Sequence, residues 1–194
     1  WIGFCQKRRF WIKKESLGKK INLSNFNDHF LFNTPKEWEN FDAIVCDPIL
    51  VHSVKKIKLI KRGFKSILKD PSILLNKNKE TIALHFDMHH GYGNINKAIE
   101  VMDIEDKSQF KEFVNTSTEF NPHLMFISKP RIINKWFETL FPWLERCEKI
   151  FESKNLKGYD TTRIYAYLAE RYLSFWFKKN TKVLSWPWVL FDQS

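Results

Sequence analysis

The order of its apolar runs predicts that this chain is an α/β protein. Short apolar stretches of strand character, Trp1–Cys5, Phe41–Pro48 and His123–Ser128, alternate with segments whose apolar residues recur every three or four positions. Two long amphipathic helical patterns dominate the end of the chain. The expectation is a sheet with helices on both faces and a helical C-terminal half. At 194 residues, 43% of them apolar and 16% aromatic, the chain suffices for one domain with a sizeable core and is not a disordered tail.

The first strand, Trp1–Cys5, runs into three cations, Lys7, Arg8 and Arg9, closed by Phe10 and Trp11. A polar excursion, Lys13–Glu39, follows. In Phe41–Pro48 the inner residues Ala43–Cys46 are uninterrupted and apolar, as in a strand covered on both faces, and Pro48 ends it because proline cannot donate to a ladder. Val54, Ile57, Ile60, Phe64, Ile67 and Leu68 recur at helical spacing with lysines between them, giving a helix over Ser53–Lys69. Thr81–Phe86 reads as a short strand leading into a turn, Asp87–Asn94. Helices are expected near Ile95–Met102 and Lys107–Thr118, with Asn94 and Asp106 as N-caps. After the strand His123–Ser128, Pro130 opens a helix whose stripe includes Ile133, Trp136, Leu140, Trp143, Cys147 and Phe151, kinked or broken by Pro142. A last helix, Thr162–Lys178, carries Tyr165, Leu168, Tyr172 and Trp176 on one face and Tyr167 and Phe175 on another, so it is covered from more than one side. A strand, Val183–Phe191, closes the chain.

The net charge is +10, carried mostly by Lys. It is compatible with nucleic acid, an anionic membrane surface or a nucleotide-activated substrate. Three cysteines, Cys5, Cys46 and Cys147, have neither disulfide nor metal spacing and read as buried, reduced thiols of a cytosolic protein. No apolar run approaches the roughly 18 residues that cross a bilayer. Because the chain opens on Trp1, already inside a strand-like run, residues upstream are expected to be missing.

Three constellations are candidates to carry chemistry. Strand ends are where open α/β sheets place ligands, and adjacent arginines offer forked donors to phosphate, so Lys7, Arg8 and Arg9 form either a phosphate site or a solvated basic turn. The cluster His85-x-Asp87-x-His89-His90 offers a general base, Asp87, with His90 to share its proton; metal binding and a capped structural turn are the other readings. Gly91 and Gly93 make no dinucleotide fingerprint, and there is no P-loop, no G-x-S-x-G and no H-E-x-x-H. In the last helix Glu170 and Arg171 sit among aromatics, either as an internal ion pair or at a site.

Three stretches together resemble a bacterial capsular-polysaccharide and lipopolysaccharide synthesis family, long labelled a domain of unknown function and regarded as GT-A-like glycosyltransferases. Gly3-Phe-Cys-Gln-Lys-Arg-Arg-Phe10 is similar to that family's Gly-Leu-Cys-His-Tyr-Arg-Arg-Tyr signature. Asn121-Pro-His-Leu-Met-Phe-Ile-Ser128 before a Trp-containing helix resembles its Asn-Met-Phe-Ile-Met strand. Ala166-Tyr-Leu-Ala-Glu-Arg-Tyr-Leu173 echoes its Gly-Phe-Leu-Ala-Glu-Arg-Leu-Leu segment. The signature His and Tyr are Gln6 and Lys7 here. The resemblance covers nearly the whole chain and implies the C-terminal two-thirds of a GT-A-like domain.

What the resemblance implies is transfer of a sugar from a nucleotide-sugar donor to a polysaccharide or lipid-linked glycan acceptor, in the cytoplasm or at the inner face of the cytoplasmic membrane. Arg8 and Arg9 are then clamps for the donor diphosphate, with Gln6, Lys7, Asn121, His123 and Arg171 as further substrate contacts. Asp87 with His90 is the first candidate for activating the acceptor, and Glu170 the second. The chain has no Asp-x-Asp, and its nearest variant, Asp103-x-Glu105, belongs at a helix boundary, so a divalent metal (Mg or Mn) is not favoured. The rivals are a basic nucleic-acid-binding protein, disfavoured because the aromatics fall on core-forming stripes, and a non-catalytic member of a glycan-assembly complex.

Overall fold

The structure is a computed structural model that describes residues 1–51, 56–151, 156 and 158–191. In chain order they form β1 (Ile2–Phe4), β2 (Arg9–Trp11), α1 (Phe26–His29), β3 (Ala43–Cys46), β4 (Ile49–Leu50), α2 (Lys56–Arg62), α3 (Phe64–Lys69), α4 (Ile82–His90), α5 (Asn94–Glu100), α6 (Ile104–Thr116), β5 (Glu119–Phe120), β6 (Phe126–Ser128), α7 (Pro130–Phe151), α8 (Tyr159–Thr162), α9 (Ile164–Asn180), β7 (Val183–Trp186) and β8 (Trp188–Leu190). The fold is mixed α/β. Its main sheet has the order β1-β6-β3-β7, antiparallel except for the parallel pair β3–β7. Two-stranded ribbons, β2–β8 and β4–β5, extend from it.

β3 is interior, as its apolar run predicts: all four residues are buried, between β6 and β7. Its alternation serves two cores. Ala43 and Val45 face the larger one, packed with Phe126, Trp136, Leu168, Tyr172 and Phe177 from β6, α7 and α9. Ile44 faces the other way, onto Trp38 and Trp186. That second layer is built by the 3₁₀ turn Lys36–Asn40 and by Trp11 of β2, so α-helices do not cover both faces as expected. The supposed surface excursion 13–39 contributes a buried Trp38, and its indole stands edge-on to Trp186 at 5.1 Å.

Several local expectations are corrected. Residues 82–90 are helix α4, with Thr81 as N-cap accepting from the Leu84 N–H, and the strand-plus-turn reading fails there. Ala, Leu and Met favour a helix once the chain can bury it on most sides. The N-cap positions of α5 and α6 fall on Gly93 and Asp103, not Asn94 and Asp106. Asp106 is instead buried, where it accepts from the Tyr172 hydroxyl and from Lys179 at 2.6 Å. Pro142 does not interrupt α7. The closing strand divides at Pro187 into β7 and β8, because proline cannot continue the ladder. Of the expected helix over 53–69, residues 53–55 lie outside the described residues, and the rest forms α2 and α3 with Gly63 between them. Cys46 and Cys147 are buried and unpaired, with burial raising both thiols, Cys147 to about 12; Cys5 is exposed. Among the described residues no helix is long and apolar enough to cross a membrane.

Candidate functional site

Four segments, with Ile49 and Phe120 of the β4–β5 ribbon, converge on one polar cavity of about 580 Å³. This lies within the roughly 300–1,000 Å³ typical of small-molecule sites. The turn between β1 and β2 contributes Gln6, Lys7, Arg8 and Arg9; α4 contributes His85, His89 and His90; the loop after β5 contributes Pro122, His123 and Leu124; α8 and α9 contribute Tyr159, Arg163, Ala166, Tyr167, Glu170 and Arg171.

Two successive arginines on a straight strand would point to opposite faces. Here the chain turns after Cys5, closed by the Arg9 N–H donating to the Gln6 carbonyl at 3.1 Å, with Arg8 in the left-handed region at φ 65°. Pairing of β2 with β8 holds the far side, and the Phe191 N–H donates to the Arg8 carbonyl at 2.7 Å. Both arginines therefore line the cavity. His123 is the other non-glycine residue at positive φ among the described residues, at 68°. Such conformations cost about 1–3 kcal/mol each and persist where surrounding contacts enforce them. Both stand at this cavity.

Glu170 enforces the second. Its Oε1 accepts the His123 backbone N–H and lies 3.5 Å from His123 Nδ1, and its Oε2 accepts from Arg171 Nη1. On the far side of the ring, Arg9 Nε donates to His123 Nε2 at 3.0 Å. A continuous chain thus runs Arg171–Glu170–His123–Arg9. It assigns the imidazole proton to Nδ1 and leaves Nε2 as the acceptor. Burial alone would raise the Glu170 carboxyl, but hydrogen bonds from His123 and the Arg171 charge outweigh it and hold it below the ordinary range. Arg171 is 2% exposed; burial pulls its pKa down and Glu170 opposes. Its guanidinium lies over the Phe120 ring, 3.8 Å from the centroid, and 3.4 Å from His85 Nδ1. Burial, followed by the Arg171 charge, lowers His85 to about 3, so this imidazole is neutral.

The α4 contribution differs from the expected one. In a strand, His85, Asp87 and His89 would share a face; in a helix Asp87 is turned some 200° from His85. His85 and His89 face the cavity, rings 4.6 Å apart, and His90 stacks on Tyr167 at 3.9 Å. Asp87 lines a separate groove with Asp70, Lys79 and Asn115 and accepts from the Gly93 N–H at 3.0 Å. Burial raises its carboxyl. The expected Asp87–His90 unit is therefore divided, and Asp87 leaves the candidate site.

Asn121 leaves it too. It is 1% exposed and behind the cavity, where Nδ2 donates to the Cys46 carbonyl at 2.7 Å and Oδ1 accepts from Ser174 Oγ at 3.1 Å. Gln6, Lys7, Arg8, Arg9, His90, His123, Glu170 and Arg171 are all at the cavity wall. Sequence reasoning missed Tyr159, Arg163 and Tyr167 as members, and it named His85 and His89 as part of the Asp87 cluster without giving either a role of its own. A signal existed for two of them: Arg163, Tyr167 and Arg171 stand four apart, a polar line along α9 that the apolar stripe does not explain.

Among the described residues five cations, Lys7, Arg8, Arg9, Arg163 and Arg171, and one carboxylate, Glu170, line the cavity, which gives its wall a positive charge. Among the described residues no group of three His, Cys, Asp or Glu side chains could hold a metal ion. Asp103 is at the start of α6, as its spacing predicts, 2.7 Å from Arg146 in an ion pair.

A protein-family model described as "Domain of unknown function (DUF4422)" matches residues 1–181. No curated protein and no solved structure matches the chain.

Proposed function

For a chain that belongs to the DUF4422 family, we propose that this cavity is the active site of a GT-A-like glycosyltransferase, which moves a sugar from a nucleotide-sugar donor to a surface-polysaccharide acceptor (capsule or lipopolysaccharide). The observation that carries the reading is the meeting, in one cavity, of the Arg8–Arg9 turn with the Glu170–His123 pair. Glycosyl transfer makes two demands. Negative charge grows on the diphosphate as the sugar's C1–O bond breaks, and a proton must leave the acceptor hydroxyl as its oxygen bonds to C1.

Arg8, Arg9 and Lys7 meet the first demand as preorganised cations. His123 meets the second. Its Nε2 is the unprotonated nitrogen, and Glu170 at Nδ1 steadies the imidazolium that forms when Nε2 takes the proton. Arg9 donates to that Nε2, so a diphosphate that draws Arg9 away frees the base. In this reading Tyr159 and Arg163, with Tyr167 stacked on His90, contact the rest of the donor. Against the nucleic-acid alternative, the aromatic stripes of α7 and α9, with Trp136, Trp143 and Trp176, are buried in the core rather than open to bases.

The test is calorimetric binding of a nucleotide-sugar panel to the intact protein. Arg8→Ala and Arg9→Ala should each weaken the bound donor about ten- to a hundredfold, since a charged hydrogen bond to phosphate contributes roughly 1.5–3 kcal/mol. Lysine at either position should rescue only in part, because a point charge cannot reproduce the guanidinium fork. Binding should survive EDTA. Unchanged affinity in both variants, or no affinity for any nucleotide sugar, refutes the reading.

A further inference from the structure

Helices α2 and α3 present a second apolar face that the protein does not cover. Their inward side is already satisfied: Leu59, with Ile67 beside it, packs on Ile73, Leu84 and Met88. Gly63 between them is buried, its α-carbon facing the Met88 sulfur. On the outward side Ile60, Phe64 and Leu68 are 48%, 56% and 65% exposed. They are spaced i, i+4, i+8 and so form one line, roughly 12 Å long at 1.5 Å per residue.

One residue further on, Lys61, Lys65 and Lys69 repeat the same spacing and are all exposed, which sets a cationic line beside the apolar one. Lys56, Lys58 and Arg62 add to the charge, and the sequence has no carboxylate between Asp47 and Asp70. The ammonium groups of Lys65 and Lys69 lie 5.5 and 5.4 Å from the centre of the half-exposed Tyr92 ring. Single exposed apolar residues are ordinary on protein surfaces. An aligned apolar set with a row of lysines beside it and a tyrosine at its margin has the chemistry of a helix lying in a lipid interface.

We infer that the outward face of α2 and α3 docks on an anionic phospholipid bilayer. Ile60, Phe64 and Leu68 enter the boundary between headgroups and acyl chains, and Lys61, Lys65 and Lys69 meet the phosphates. Charge complementarity selects an anionic bilayer over a neutral one, and the exposed aliphatic side chains Ile60 and Leu68, which offer a base neither stacking nor a hydrogen bond, favour it over nucleic acid. The face adjoins the cavity: Arg62 Nη1, at the end of α2, is 3.1 Å from Nδ1 of His89 in the cavity wall. If the cavity is a glycosyltransferase site, as proposed above, docking sets it beside the bilayer, where a lipid-linked acceptor is held.

The experiment is flotation of the intact protein with phosphatidylcholine vesicles, with and without phosphatidylglycerol. Wild type should float with the anionic vesicles and stay down with the neutral ones. The double variant Phe64→Ser/Leu68→Ser should lose about tenfold in partitioning. The triple variant Lys61→Gln/Lys65→Gln/Lys69→Gln should lose on the order of a hundredfold, and wild-type binding should weaken with salt. All five side chains are exposed, so thermal unfolding should be little changed. Absent or charge-independent binding by wild type, or undiminished binding by both variants, overturns the inference. So does tight oligonucleotide binding that survives the Phe64/Leu68 change, or a concentration-dependent dimer that these substitutions abolish. Nucleotide-sugar binding without vesicles reports on the cavity alone, so either proposal can fail while the other stands.

Discussion

Arg171 shows what a buried cation requires. A guanidinium at 2% exposure is tolerated because Glu170 supplies the opposite charge and the Phe120 ring supplies a π face at 3.8 Å. Burial, and after it the same cation, holds the His85 pKa down. Below about pH 6.5 an unfolded chain protonates this histidine, while the folded chain withholds the proton until about pH 3. The unfolded state therefore binds the extra proton, and stability falls as pH drops through that window, by up to about 1.4 kcal/mol per unit. Urea titrations between pH 7 and 5 should show the decline, and His85→Gln should flatten it. Glu170 shares the sign but acts lower: its carboxyl is depressed, so its contribution is present above 4.5 and fades only below. An unchanged slope in His85→Gln assigns the pH dependence elsewhere.

Among the elements, α4 and α7 depart most from local pattern. The run 82–90 is short, nearly all apolar or histidine, and compatible with both periods; its neighbours decide, because α4 packs against α2, α5, α6 and α9 and is covered on most sides. α7 is held across Pro142 by buried anchors on both sides, Trp136 and Leu140 before it and Trp143 and Cys147 after. The Trp143 indole also donates to the Ala98 carbonyl at 2.8 Å. These contacts outweigh the missing amide and the ring's clash with the preceding turn. Pro142 is exposed, so little packing is lost with its ring. Pro142→Ala should therefore stabilise the protein, by about 1–3 kcal/mol in chemical denaturation. Destabilisation would mean that the proline sets a bend the core needs.

At the scale of the whole molecule, Asn121 joins parts that are far apart in sequence. Its amide donates to Cys46 at the end of β3 and to Ser185 of β7 at 3.3 Å, while its backbone N–H and carbonyl meet Ser174 of α9. It fixes the depth at which α9 lies on the sheet, and with it the position of Glu170 one turn earlier. Asn121→Ala leaves the Cys46 carbonyl buried without that donor and should cost about 1–3 kcal/mol. Because Glu170 meets His123 two residues on, the same variant should weaken nucleotide-sugar binding in proportion to the displacement, whereas a mere surface effect would leave both stability and affinity unchanged.

Where the signal is local, the amino-acid sequence by itself determined the outcome. Ala43–Cys46 is apolar at every position and became the interior strand; the stripes of α7 and α9 became the larger core; and the adjacent arginines after Cys5 line the cavity. Glu170 was legible because a carboxylate among aromatics must find partners. Only the tertiary structure decided the rest. Whether 82–90 is strand or helix determines which side of it Asp87 takes, and that depends on what packs around it. Which apolar residues of α2 and α3 are core and which stay exposed depends on a single buried side meeting Leu84 and Met88. That Asn121 serves the scaffold and His123 the cavity follows from contacts with residues about 47 to 114 positions away. Periodicity states which residues share a face; only packing states what that face meets.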